Sequence, residues 1–193
     1  GGDTPRSSAG ITINVTALGR ADEAHVKRRS DARPGDVIFV AGELGASGAG
    51  LRDILAGHYG TPLAAQHRNP APQVEEGQWL GARREVHAMM DLSDGLASDI
   101  RHILDRSEVG ARVELTRIPV AEWADLQTAA CGGEDYKLLL TADGTRAEAL
   151  AATYRERFGG PLYPVGRITT AHELVWLRNG TPETLDWHGF EHF

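Results

Sequence analysis

Val86-His87-Ala88-Met89-Met90-Asp91-Leu92, running into Ser93-Asp94-Gly95-Leu96-Ala97-Ser98-Asp99-Ile100-Arg101-His102-Ile103-Leu104, changes its apolar pattern partway along. Val86 to Leu92 reads as a strand, and Leu96, Ile100, Ile103 and Leu104 then fall on one stripe at the 3.6-residue period of a helix. Ser93 is placed to cap that helix. The same alternation recurs outward in both directions. Pro34-Gly35-Asp36 is a turn signal before the strand Val37 to Ala41, and a helical pattern follows through Leu51, Ile54 and Leu55. Val113 to Leu115 and Leu138 to Thr141 read as strands. Ala147, Leu150, Ala151, Tyr154 and Phe158 form a helical face, and two late extended segments cover 162–165 and 174–177. Residues 60–78, with Pro62, Pro70, Pro72 and Gly77, read as mainly loop with room for one short helix. Short strands mixed with helices predict a layered α/β or α+β domain, a mixed sheet with flanking helices.

At the amino-terminal end, residues 11–18 alternate like a half-buried strand, and Gly19 to Arg33 is a polar connector. The chain opens on Gly-Gly-Asp-Thr, in the middle of a turn and without a methionine, so a fragment is expected. With 193 residues the chain can bury one substantial core. A net charge of -7, from 27 acidic against 20 basic residues, gives no footprint for nucleic acid. Lys27-Arg28-Arg29 is the only tight basic run. The single cysteine, Cys131, excludes an intrachain disulfide framework and fits a reducing, cytoplasmic setting. No apolar run approaches the ~20 residues needed to cross a bilayer, so no membrane partner is expected.

The chemistry concentrates in glycine-flanked carboxylates. Asp91 would end a strand, and Asp94 would lie in the first turn of the next helix, with the Ser93 hydroxyl between them. Mg²⁺ takes oxygen ligands, commonly one or two carboxylates with water and phosphate, and first-turn amides can donate to phosphate oxygens. A capped helix with a dipole-complementing aspartate accounts for the same residues equally well. Gly1-Gly2-Asp3-Thr4 offers a further carboxylate and hydroxyl, or a simple turn. Gly42 to Gly50 matches no phosphate-loop pattern and reads as a tight connection or an anion-binding turn. In Cys131-Gly132-Gly133-Glu134-Asp135-Tyr136, Glu134 and Asp135 cannot both face the core, so one is expected near the strand entrance. Cys131 has no paired base and reads as a structural thiol. His188 and His192 do not have convincing zinc spacing.

Taken in order, these pieces resemble the thiamine-monophosphate kinase family, within the superfamily of ATP-dependent purine-biosynthesis and selenophosphate synthetases. The resemblance rests on Gly1-Gly2-Asp3-Thr4 with Arg6-Ser7, Arg29-Ser30 with Pro34-Gly35-Asp36, and Leu44-Gly45 with Ser47, Ala49, Gly50 and Leu51. It continues through Met90 to Leu96, Gly132 to Tyr136 and Gly189-Phe190-Glu191-His192-Phe193. It implies an enzyme that phosphorylates thiamine monophosphate to thiamine diphosphate with ATP and Mg²⁺. By motif, Asp3, Asp91 and Asp94 resemble magnesium ligands, and Gly2, Asp3, Arg29 and Ser93 resemble contacts to the nucleotide and its metal. Glu134 and Phe190 resemble substrate contacts, with Trp187 near enough to compete with Phe190. No general base is nominated, because the acceptor is already an anionic phosphate oxygen.

The resemblance also implies a homodimer and a longer chain. On that basis residues 1–19 would be the last strand of a missing amino-terminal ATP-binding domain, 20–33 a connector and 34–193 a carboxy-terminal α/β domain. The fragment alone would then be deficient in activity. A related ATP-dependent synthetase or a non-catalytic nucleotide-binding module are the competing expectations. Two positions depart from the family pattern: Lys137 stands where an acidic residue is usual, and Gln73 where an arginine is frequent.

Overall fold

A computed structural model describes residues 15–187. Its seven strands form one sheet: β1 (Val37–Val40), β2 (Val86–Asp91), β3 (Gly110–Glu114), β4 (Leu138–Ala142), β5 (Tyr163–Thr169), β6 (Leu174–Arg178) and β7 (Thr181–Glu183), in the order β2-β4-β1-β5-β3-β6-β7. Only β3 and β6 pair in parallel; the other neighbours are antiparallel. The mixed α/β architecture read from the sequence is the one observed.

Alternation sorts the side chains to two faces. Ile38 and Val40 join Ala88, Met90, Leu139 and Val165 in a core closed by the stripe of α4 (Leu96–Ser107), while Val37 and Phe39 join Leu140 and Ala142 on the opposite face. That second face is covered by α3 (Val74–Gly81) and α6 (Ala147–Phe158) through Leu80, Leu150 and Tyr154. A strand buried on both faces has no polar side, and all four residues of β1 are buried.

The stretch 60–78, expected to be mainly loop with one short helix at most, contains two helices, α2 (Pro62–Arg68) and α3. Proline does not oppose a helix at its first position, where its missing N–H would have no partner. Pro62 stands there in α2, behind Thr61, whose hydroxyl accepts the Ala64 N–H at 3.0 Å. Pro70 and Pro72 separate the two helices rather than dissolving them. A short helix, α5 (Leu126–Cys131), was not legible from periodicity; Asp125 caps it by accepting the Thr128 N–H at 2.7 Å.

Of the alternating stretch 11–18, residues 11–14 lie outside the described residues. Residues 15–18 form no strand, and Val15 and Leu18 are exposed. Extended chain joins a ladder only against a partner strand, and none of the described strands pairs with it. Between this segment and β1 the polar connector holds a single 3-10 turn, Glu23–His25.

Helix α1 (Ala46–Leu55) crosses α2 so closely that backbone meets backbone. A methyl group on Gly50 would stand 2.1 Å from the Leu63 carbonyl oxygen and 3.0 Å from the His67 Cβ. Gly50→Ala should therefore lower unfolding stability by about 1–3 kcal/mol in urea titrations, the usual cost of overpacking. Gly60→Ala, where an added methyl meets nothing within 4 Å, should leave the midpoint nearly unchanged.

Candidate functional site

The antiparallel register brings the ends of β1 and β2 to the same edge as the start of β4: Val40 faces Leu139, and Asp91 faces Leu138. Three motif segments therefore emerge together, the Gly42–Gly45 connection, the Asp91–Gly95 loop and the Gly132–Lys137 strand entrance. The last two are laced by backbone bonds. Leu92 N–H donates to the Lys137 carbonyl at 2.8 Å, Tyr136 N–H to Leu92 at 2.9 Å, and Glu134 N–H to Ser93 at 2.7 Å. Gly133 must come close to this loop, because a Cβ there would stand 2.7 Å from the Ser93 carbonyl oxygen. Gly133, Glu134 and Tyr136 all have positive φ, at 61°, 59° and 49°. For residues other than glycine this backbone region is uncommon and costs energy, which is why it marks functional segments.

This left-handed turn separates the two adjacent carboxylates. Asp135 points inward, 8% exposed, and accepts the N–H groups of Gly45 at 2.6 Å and Ser47 at 3.0 Å. The amino-terminal amides of α1 thus receive an anion from the chain itself, so Gly42–Gly50 is a tight connection closed by Asp135. Burial pushes the Asp135 carboxyl above its ordinary pKa, against the pull of those two amides. Glu134 stays half-buried at the strand entrance, and its carboxylate accepts the Tyr136 hydroxyl at 3.1 Å. That hydroxyl is pushed above its ordinary pKa by burial first, then by the bond to Glu134 and by the nearby charges of Asp91 and Asp94.

Helix α4 does not begin as expected. Its cap is Gly95, at φ 96°, with no side-chain hydrogen bond, and Ser93 and Asp94 precede the helix instead of starting it. A Cβ on Gly95 would stand 2.8 Å from the Ala130 carbonyl oxygen, so no capping side chain fits there. Ser93 therefore does not cap α4, and Asp94 does not lie in its first turn. The Ser93 and Asp94 amides donate at 2.8 and 3.0 Å to Asp99 Oδ2, one turn into the helix. Asp99 is 1% exposed, and burial pushes its carboxyl up. Asp94, Asp99 and His102 each offer a ligand atom within 4.8 Å of the others, and Asp91 is exposed at the strand end beside them. Carboxylate oxygens are the hard donors that Mg²⁺ takes, so Asp91 and Asp94 fit that ion, whereas the His102 nitrogen is not a donor it favours and Asp99 Oδ2 is already engaged by two amides.

Sequence reasoning passed over Asp99 and Tyr136. For Asp99 a signal exists: it shares the i, i+3, i+4, i+7 face of Leu96, Ile100 and Ile103, and an aspartate on an apolar stripe needs a reason.

The fold thus collects Asp91, Ser93, Asp94 and Glu134 at one edge. Arg29 lies elsewhere: its carbonyl accepts the Ser107 hydroxyl at 2.7 Å, at the other end of α4, about 18 Å away along a twelve-residue helix. Gly2, Asp3, Phe190, His188 and His192 fall outside the described residues. Trp187 packs edge-to-face on Trp176, with centroids 5.4 Å apart, which occupies one side of its ring. Cys131 is half-buried, and burial raises its pKa, consistent with a structural thiol.

Beside Glu134 lies a cavity of about 310 Å³, bounded by Ser47, Asn69, Asp135 and Lys137. It adjoins a larger groove of about 870 Å³ lined by Gly42, Glu43, Trp123, Tyr163 and, shared with the first, Gln66 and Lys137. Both volumes suit small-molecule ligands. Gln73 splints the wall between them and the sheet: its amide nitrogen donates to the Ala41 carbonyl and its oxygen accepts the Leu138 N–H, each at 2.8 Å.

Residues 33–176 match the family profile described as AIR synthase related protein, C-terminal domain. The chain belongs to this family. As the motifs implied, the relatives that the chain matches include thiamine-monophosphate kinases. The enzyme of that name from Escherichia coli K12 is 35% identical over 211 residues, taking in 100% of this chain and 62% of that protein. The Halobacterium salinarum one is 37% identical over 183 residues, 92% of this chain and 60% of that protein. The chain therefore spans about three-fifths of the length of these relatives. Among solved structures, the thiamine-monophosphate kinase of Stenotrophomonas maltophilia K279a superposes with a TM-score of 0.72 at 30% identity, over 84% of this chain and 56% of that one. A structure described as AaThiL complexed with AMPPCP and TMP gives 0.68 at 27%, over 86% and 53%. Escherichia coli HypE, at 19% identity and a TM-score of 0.67, shares the fold.

Asp135→Ala would leave two helix amides buried without an acceptor. It should cost roughly 2–4 kcal/mol in chemical denaturation, and Asp135→Asn, which keeps a carbonyl oxygen, distinctly less. Because the folded pKa is raised, the aspartate's stabilisation is complete below about pH 4 and declines as pH rises through the folded value. The gap between the wild type and the non-titrating Asn variant should narrow or reverse in that direction.

Proposed function

We propose that this chain is the carboxy-terminal part of an ATP- and Mg²⁺-dependent kinase that converts thiamine monophosphate to thiamine diphosphate. The observation that carries the reading is the lacing of the Gly133–Tyr136 turn to the Leu92–Ser93 backbone. It puts Glu134, the proposed substrate contact, beside Asp91 and Asp94, the proposed metal ligands. Both motifs occur in order in a chain whose relatives carry that activity in their names.

In this reading Asp91 and Asp94, with Asp3, hold magnesium against the nucleotide phosphates, and Ser93 with Gly2 contacts ATP. The metal supplies neutralisation of charge as two anionic phosphates approach, which is most of what phosphoryl transfer asks of a protein. Ser93 offers a hydroxyl from a loop whose backbone is already tied down, so little ordering is needed on binding. Glu134, held by Tyr136, gives opposite charge or hydrogen bonding to the cationic thiamine, and Phe190 an aromatic face. No general base is required, because the attacking oxygen belongs to a phosphate already ionised near neutral pH. Arg29, at the far end of α4, enters the reading as a contact to a distal part of the nucleotide or across a homodimer. The portion of the relatives' length that this chain does not match would supply the rest of the site. A cytoplasmic setting belongs to the same proposal; among the described residues no helix is long and apolar enough to cross a membrane.

A coupled ADP-release assay with the intact protein tests the proposal, with thiamine monophosphate as the acceptor. ADP formation should require it and should cease when Mg²⁺ is chelated, while the 193-residue chain alone should show little or no turnover. Formation of ADP only with a purine-pathway amide substrate would point to a synthetase. Nucleotide binding without any acceptor-dependent ADP would point to a binding module.

Asp94→Asn in the intact protein should lower turnover by about 100-fold or more while leaving the unfolding transition in place. Unchanged turnover at saturating Mg²⁺ would remove Asp94 from the ligand set.

A further inference from the structure

We infer that Asp99 is a positioning residue, whose carboxylate sets the loop carrying Ser93 and Asp94 in the geometry that metal and nucleotide require. The inference rests on the functional reading above and assigns a role to a residue which that reading does not use. The loop is fixed from two sides. On one side its carbonyls at Leu92 and Ser93 accept the Tyr136 and Glu134 amides at 2.9 and 2.7 Å. On the other side its amides at Ser93 and Asp94 donate to Asp99 Oδ2 at 2.8 and 3.0 Å. The first set is backbone to backbone. The second hangs on one side chain.

Asp99 holds this place because the usual alternative is closed. A capping residue would stand at Gly95, but a side chain there would run into the Ala130 carbonyl oxygen at 2.8 Å and the Cys131 backbone at 2.9 Å. The helix therefore reaches back with an acidic residue from inside its first turns, past its own cap, to two successive peptide groups. A charged acceptor binds amides more strongly than a neutral one, which offsets part of the cost of burying Asp99 to 1% exposure. Its second oxygen, Oδ1, is buried without a hydrogen-bond partner. Two consecutive peptide planes are then set, and with them the directions in which the Ser93 and Asp94 side chains leave the backbone.

A direct metal-ligand role for Asp99 makes different predictions, because His102 would then belong to the same ligand set. Positioning needs one oxygen on Asp99 and nothing from His102. In the intact protein, Asp99→Ala should raise the Mg²⁺ concentration for half-maximal ADP release roughly 10- to 100-fold, the usual cost of losing a group that orients a ligand. The rate at saturating Mg²⁺ should fall much less. Asp99→Asn, which keeps a carbonyl oxygen for the amides, should restore most of the Mg²⁺ affinity, and His102→Ala should match the wild type. Hydrogen exchange at Ser93 and Asp94 should quicken in Asp99→Ala and not in Asp99→Asn. If Asp99→Ala does not fold, Asp99→Glu, which moves the acceptor by one methylene, should show the same Mg²⁺ shift.

An unchanged Mg²⁺ requirement in Asp99→Ala or Asp99→Glu, despite faster exchange, would reduce Asp99 to a structural cap and overturn the inference. So would Asp99→Asn and His102→Ala each weakening Mg²⁺ as much as Asp99→Ala. Should the wild type make no ADP from thiamine monophosphate, the kinase reading fails by itself. Mn²⁺ binding, measured by electron paramagnetic resonance on wild type and variants, then decides the role of Asp99 by the same pattern.

Discussion

A single carboxylate, Asp135, joins helix α1 to the sheet at the edge where the Gly42–Gly45, Asp91–Gly95 and Gly132–Lys137 segments emerge. It sits just before β4 and fills the amino-terminal end of α1, ninety residues earlier in the chain. With Asp135 committed inward, its neighbours Glu134 and Tyr136 are turned to the other side, and positive φ angles at both make that division possible. Together with the backbone bonds from Glu134 and Tyr136 to Ser93 and Leu92, this inward anchor holds the turn in its strained conformation and presents Glu134 to the Asp91–Asp94 loop. Packing and presentation are thus consequences of the same few bonds.

The strands and long helices were legible because apolar periodicity is a local property. β1, β2, β4, α4 and α6 follow directly from it, and their buried faces contain the residues that the pattern marks. The helices at 62–68 and 74–81 were hidden by prolines, whose meaning depends on whether they stand at a first turn or in an interior. α5 was hidden by its shortness: six residues cannot display a period, and its start rests on the Asp125 cap. In the alternation of 11–18, the described part, 15–18, meets no partner among the described strands, for a pattern can announce a strand without supplying one to pair with.

For the site, residue types were legible and their division of labour was not. Asp91, Ser93, Asp94 and Glu134 can be picked out by chemistry and glycine spacing, and the register of β2 against β4 gathers them. What no spacing reveals is that Gly95 is closed to a capping side chain, because the obstacle comes from Ala130 and Cys131 in another helix. That tertiary fact displaces Ser93 from capping and recruits Asp99. Likewise, the glycine-rich connection at 42–50 can be read as waiting for an external anion until Asp135 is seen to occupy it.

The splint made by Gln73 gives the two departures from the family pattern a common meaning. Gln73 spans Ala41 and Leu138, and the stem of Lys137, the residue before Leu138, lies against Gly42, the residue after Ala41. The two positions are neighbours across one junction of β1 and β4. The two departures therefore meet at one place, and a change at either reaches the other: a residue at 73 unable to bridge Ala41 and Leu138 would release the strand entrance on which Lys137 stands, and with it a wall of the groove that both side chains line.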